Sequence, residues 1–230
     1  MRLVTRAELA AMEPMIADPP ALAAYFPREK AVEVQDACAS LMRSAYRANA
    51  QLIFGQKVLG LEVAGGRIKG VRLTDRTISA DHVVVAAGAQ SPAILGGIMP
   101  DHGISVSPAA LVSLRADAFG LSHIINGDGL EIRSRRNGEL IIACGVEDGP
   151  EEQVKADLAQ QVLAKVFRIF SAIVNPRVTS VEIGRRPFLA DGRPLVSSAD
   201  GVEGLILAAS HPGVILAPEI ARRVVDIVVR

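Results

Sequence analysis

The chain has 230 residues, half of them hydrophobic and 22% charged, enough apolar surface to bury the core of one or two domains and too much for a disordered segment. Lys plus Arg and Asp plus Glu number 25 each, so the formal charge is zero and no long-range field gathers nucleic acid or an anionic membrane. The partner expected is a small molecule or another protein.

Cys38 and Cys144 are the two cysteines, far apart and in no C-x-x-C or metal-ligand spacing, which argues against a disulfide framework or a zinc site. The start, Met1 to Arg6, lacks the apolar stretch of a signal peptide, and no apolar run approaches the roughly 20 residues of a membrane helix. These features predict a cytoplasmic chain with no membrane span.

Thr5 and Glu8 have capping-box spacing, Leu9 and Met12 add an apolar face, and Pro14 ends the run, predicting a helix over residues 5–12. Asp18-Pro19-Pro20 and Pro27 predict an irregular connection over residues 14–30. Val34, Ala37, Cys38, Leu41, Ala45 and Ala48 recur at helical spacing, predicting a helix over residues 32–49. The period then shortens. Residues 52–54, 57–63, 67–74 and 82–86 are β-rich runs broken by Gly65-Gly66, Gly70 and Asp75, a meander feeding a buried strand. Val83 to Ala86 is apolar on both faces, as in a central strand of a parallel or mixed sheet. A short helix is expected over residues 91–95.

Residues 104–114, 122–125, 130–134 and 140–143 alternate in strand fashion, with Asn126-Gly127 and Asn137-Gly138 as turn signals, predicting an antiparallel sheet. Val154, Leu158, Val162, Val166 and Phe170 lie at helical spacing, predicting an amphipathic helix over residues 151–170. Strands are expected over residues 178–183 and 205–208, and a last helix over residues 215–229 with Pro218 in its first turn.

Two segments carry chemistry. Arg185-Arg186-Pro187 sets two guanidinium groups beside a stiffened turn, and arginine clamps a carboxylate through two parallel hydrogen bonds. By itself this pattern favours solvated arginines on a turn over a clamp. Ser210-His211-Pro212-Gly213 joins a strand to a helix start, whose amides and dipole suit an anion or an electron-rich ring. His211 fits either a site residue or a surface filler.

Taken in order, the turn Ala86-Ala87-Gly88-Ala89 after a valine strand, Arg186-Pro187 followed by Asp191-Gly192-Arg193-Pro194, and Leu216-Ala217-Pro218 after the closing strand and loop resemble the D-amino acid oxidase family of flavoproteins. Glycine and sarcosine oxidases belong to that family. The resemblance implies FAD as cofactor and oxidation of an amine or amino acid by hydride transfer to the flavin. It implies that Arg186 binds the substrate carboxylate; His211, in the loop before the last helix, is the second candidate catalytic residue. Gly192 and Pro194 match the turn beside the flavin, and Ser210 to Gly213 match the loop near the pyrimidine end of the ring. Val58 matches a position at the adenine, and Ala87 and Gly88 match the turn past the diphosphate.

The sequence departs from that family in one main respect: none of the 230 residues forms a G-x-G-x-x-G loop between a strand and a helix, the segment whose amides hold the pyrophosphate. It also has no tryptophan and two tyrosines, few for a family that often roofs its substrate with aromatic rings. The expected fold is α/β. Residues 1–30 form a helical lead-in, residues 31–97 and 185–230 an incomplete FAD-binding half with a mixed sheet, and residues 98–184 an antiparallel substrate domain. Two functions stay open: an oxidoreductase subunit or fragment, and a non-catalytic assembly subunit whose partner supplies the dinucleotide cradle. A protein partner or self-association, and FAD that is weakly held or absent in the chain alone, follow from the same departure.

Overall fold

The computed structural model describes residues 1–170 and 172–229. In chain order the elements are β1 (Arg2–Thr5), α1 (Arg6–Met12), β2 (Leu22–Tyr25), α2 (Val34–Arg47), β3 (Gly60–Ala64), β4 (Arg67–Arg72), β5 (Thr77–Ser79), β6 (Val83–Val85) and α3 (Ser91–Leu95). There follow β7 (Ile104–Asp117), β8 (Ile125–Gly127), β9 (Leu130–Ser134), β10 (Leu140–Cys144), α4 (Glu151–Ile169), β11 (Val174–Leu189), β12 (Leu195–Ser198), β13 (Leu205–Ala209) and α5 (Gly213–Val228). They form two compact units, residues 1–37 with 108–184 and residues 38–107 with 185–230.

The first unit is built on a five-stranded sheet in the order β11-β7-β10-β9-β8. Leu114 opposite Leu140, Val112 opposite Ile142 and Ile142 opposite Ile132 put one apolar face on the sheet. Val162 and Val166 of α4, with Phe170 just beyond it, cover that face, and all three side chains are buried; Leu158 of α4 is buried as well. Phe170 meets Phe119 edge-on at 5.1 Å. The capping box is formed: the Thr5 amide donates to Glu8 Oε2 at 2.8 Å and the Glu8 amide to Thr5 Oγ1 at 3.4 Å. The Thr5 amide, then the Thr5 hydroxyl and the Arg2 guanidinium, donate to the Glu8 carboxylate and hold its pKa down at about 2.

Two expectations for this unit are corrected. Residues 14–30 are not wholly irregular, and the lead-in is not only helical, because β2 pairs antiparallel with β1 from Arg2 opposite Tyr25 to Thr5 opposite Leu22. The pairing is non-local, and the flanking prolines hide it. The strand expected over residues 122–125 lies at β8 instead. The turn is Asp128-Gly129, with φ of 52° and 72°, so Asn126 and Gly127 are strand residues opposite Glu131 and Leu130. Two successive positive φ values define the hairpin turn whose twist suits the flanking strands.

In the second unit the antiparallel meander β3-β4-β5 accompanies a mixed sheet in the order β12-β13-β6. β13 runs antiparallel to β12 and parallel to β6. All five residues of β13 are buried. Leu205 and Leu207 pack with Leu61, Ile68, Val85 and Leu95 in one core. The central strand is therefore β13, and β6 lies at the edge with Val84 39% exposed. Residues 52–54 form no strand, and β3 begins at Gly60. α5 begins at Gly213, two residues earlier than expected, so Pro218 falls inside the helix.

Gly204 sets the entry to β13. Its φ is 80°, and a Cβ there would collide with the Asp81 carbonyl and the Ile68 side chain just where the Val83 amide donates to the Gly204 carbonyl at 2.9 Å. Gly192 has a similar φ of 68° and open space around it. Gly204→Ala is expected to lower unfolding stability by about 2–4 kcal/mol, through strain plus overpacking, and Gly192→Ala by about 1 kcal/mol, through strain alone. Denaturant titration of both variants checks this, and equal losses would contradict the close-approach account.

Candidate functional site

The end of β11 carries the arginine pair. Alternation along a strand sends neighbours to opposite faces: Arg185 is exposed, while Arg186 is half-buried with its Nε shielded from solvent. Phe188, two residues on, shares the face of Arg186, and the guanidinium carbon lies 5.2 Å from the centre of its ring. On the Phe188 ring also rests His211, with ring centroids 4.7 Å apart and planes inclined at 51°. The Phe188 carbonyl accepts a hydrogen bond from Ser105 Oγ at 3.1 Å, tying this end of β11 to β7. Burial, and then the Arg186 charge, push the His211 pKa below its ordinary value, so the imidazole is neutral near pH 7.

The mixed sheet brings three further turns together. Leu207 is level with Val85 on the parallel neighbour, so Ala209 is level with Ala87, and the turns Ala87-Gly88 and Ser210 to Gly213 leave the same end of the sheet. Leu195 faces Ala209 across the antiparallel pair, so Gly192 to Pro194 enter β12 at that end too. Outside the carboxyl ends of parallel strands is where open α/β sheets bind ligands.

Each turn has a local cause. The Gly192 amide donates to the Leu189 carbonyl at 2.9 Å, and Asp191 Oδ1 accepts from the Arg193 amide at 2.9 Å, closing the Asp-Gly turn ahead of exposed Pro194. The Gln90 amide donates to the Ala87 carbonyl at 3.0 Å, while Gly88 takes φ 56°. Ser210 is buried, its hydroxyl donating to the Pro212 carbonyl at 3.4 Å, and the His211–Pro212 peptide is cis. Gly213 opens α5. A Cβ added at Gly88, Gly192 or Gly213 would meet nothing within 4 Å. The backbone there is open to a flat group lying close against it.

Of the residues singled out from sequence, Arg186 and His211 lie about one ring, and Ala87, Gly88, Gly192, Pro194, Ser210 and Gly213 lie in turns at one sheet end. Val58 does not join them: it is half-buried ahead of β3, in the meander. Phe188 is the residue that the motif does not single out. Its signal in the sequence is the period of two from Arg186. A cleft of about 500 Å³ in the first unit is lined by Val32, Glu33, Asp36, Arg133 and Arg136 among others, and shares no residue with these motifs. Among the described residues no His, Cys, Asp and Glu cluster suits a metal ion, and no helix is long and apolar enough to cross a membrane.

The chain is similar in sequence and fold to several known proteins. The glycine oxidase of Pseudomonas putida is 25% identical over 165 residues, covering 70% of this chain and 45% of that protein. The D-amino acid dehydrogenase 2 of Ralstonia nicotianae is 27% identical over 227 residues, covering 90% of this chain and 52% of that one. The crystal structure of glycine oxidase from Geobacillus kaustophilus superposes with a TM-score of 0.84 at 25% identity, covering 98% of this chain and 62% of that one. The chain spans about half the length of the curated relatives it matches. The family described as FAD dependent oxidoreductase (DAO) matches residues 1–227, and the chain belongs to it.

Proposed function

We propose that this chain carries the flavin-ring and carboxylate-binding part of an FAD-dependent oxidoreductase that oxidises an amine or amino acid. The observation that carries the reading is the convergence of the turns at Ala87, Gly192 and Ser210 on one end of the mixed sheet, each with a glycine whose missing side chain leaves its backbone open. The names of the relatives, glycine oxidase and D-amino acid dehydrogenase, support an amino acid as substrate.

FAD, when bound, supplies the hydride acceptor for a substrate α-carbon. The chain's own groups bind and orient. Gly192 and Gly213 would let the flat ring system lie near the backbone, and Ala87 and Gly88 would pass the diphosphate. The first amides of α5, at Gly213 and Val214, with the positive end of its dipole, favour negative charge at the ring's near edge. Arg186 anchors the substrate carboxylate, and neutral His211 offers a hydrogen bond without adding charge beside it. In this reading residues 31–97 and 185–230 serve the cofactor and also supply the Arg186 anchor, and residues 98–184 form the rest of the substrate side, although the compact units divide the chain at 37/38, 107/108 and 184/185.

The diphosphate is the exception to this fit. No G-x-G-x-x-G loop stands among these residues, so its donors come from further polypeptide. The surface suits that role: β6 ends the mixed sheet with Val84 in the open, and Leu41, Tyr46, Ile215 and Val225 are each more than half exposed. A protein partner or a second copy that covers some of these exposed side chains fits this reading, and the two free cysteines fit a reducing, cytoplasmic setting. An assembly subunit that itself lacks activity is the second reading, and the same exposed face favours it.

Two measurements check the proposal. In a flavin-loaded assembly, Arg186→Ala should raise KM for a carboxylate substrate by about 2–4 kcal/mol in apparent binding, from loss of one partner of a charged pair, and Arg185→Ala far less. Equal effects of the two changes would remove Arg186 as the anchor. Light scattering of the chain across micromolar concentrations should show self-association, and a monodisperse monomer would contradict the role given to the exposed face.

A further inference from the structure

We propose that Phe188 is a positioning residue of this site: its ring fixes the Arg186 guanidinium and the His211 imidazole relative to one another. The inference rests on the reading of Arg186 as the carboxylate anchor and extends it to the residue that aims it. Arginine is long and loses much rotamer freedom when held, so an anchor that works needs something to hold it before the substrate arrives. One rigid partner is the Phe188 ring, which takes the guanidinium carbon at 5.2 Å and the imidazole at 4.7 Å from its centre.

The backbone that carries the ring is itself held. Phe188 lies within the long strand β11, and its carbonyl receives the Ser105 hydroxyl at 3.1 Å. Arg186 and Phe188 share a face because they are two residues apart on that strand. His211 comes from the loop after β13, which is buried along its whole length. Two rigid strands therefore deliver the ring and the imidazole, and the flexible guanidinium settles against a surface already in place. Two like-charged groups would drift apart if His211 were protonated. The depressed His211 pKa, from burial first and the Arg186 charge second, keeps the pair compatible near neutral pH.

The test uses nuclear magnetic resonance on the full chain, with Phe188→Leu, which keeps apolar bulk and removes the ring, and Phe188→Tyr, which restores the ring. Melting curves confirm that each variant is folded. In the parent chain the Arg186 Nε–H signal should be shifted upfield by the ring below it, and His211 should titrate below about 6.5. In Phe188→Leu the upfield shift should vanish, exchange of the Arg186 Nε–H should quicken about tenfold, and the His211 midpoint should rise by about half a pH unit. Phe188→Tyr should restore all three. Parent values for all three in a folded Phe188→Leu would overturn the proposal, as would failure of the tyrosine variant to rescue them. Neither flavin nor substrate enters these readouts, so their failure leaves the FAD reading standing, and a failure to bind FAD leaves this one standing.

Discussion

Burial of β13 on both faces is the constraint on which the site depends. A strand with no solvent-facing side must be apolar throughout and flanked by strands, and Leu205 to Ala209 meet both conditions between β12 and β6. Its parallel register with β6 and antiparallel register with β12 fix the levels at which three turns leave the sheet. Gly204 makes the register possible, because any side chain there would force β13 away from Asp81. Moving β13 by one residue would exchange its faces and carry Ser210 to Gly213 out of line with Gly88.

Charge follows from that scaffold. At the site end of the sheet stand the Arg186 cation, the neutral His211 imidazole and the first amides of a helix, while Asp191 and Arg193 of the neighbouring turn are exposed to solvent. The first three favour an electron-rich ligand, and none of them competes as an anion. The exposed ion pairs elsewhere, such as Arg222 with Glu219 and Asp226, stiffen the surface of α5 and contribute little to stability. The apolar side chains left open on α2 and α5 and at the β6 edge have the opposite character, and a folded protein tolerates such a face best when something covers it.

Much of this was legible in the sequence where a local rule carried it. The Thr5–Glu8 capping box, the amphipathic α4 and the strands β7, β9 and β10 follow from spacing alone, whereas β11 runs on to Leu189, past the strand expected over residues 178–183, and so sets Arg185 and Arg186 on opposite faces. What was not legible is non-local. β2 is a strand because β1 is there to pair with it, and no pattern within residues 14–30 says so. Val83 to Val85 read as a central strand because both faces look apolar, yet position in a sheet is decided by neighbours and not by composition. The hairpin turn fell at Asp128-Gly129 and not at Asn126-Gly127 because both are turn dipeptides and only the register with β9 chooses between them. Phe188 stayed hidden because a lone aromatic on a strand reads as core until the loop bearing His211 is placed against it.

The central claim is that these residues form the ring-facing side of an FAD site whose diphosphate donors lie outside the 230 residues. The loss of those donors removes several charge-assisted hydrogen bonds of about 1.5–3 kcal/mol each, most of the roughly 8 kcal/mol of a micromolar site. Calorimetric titration of the chain with FAD tests this most directly, first alone and then with a polypeptide carrying a strand, a G-x-G-x-x-G loop and a helix. The account predicts binding no tighter than about millimolar for the chain alone and a large gain in the mixture. A low micromolar dissociation constant for the chain alone would contradict it, and would mean that these residues hold the diphosphate by themselves.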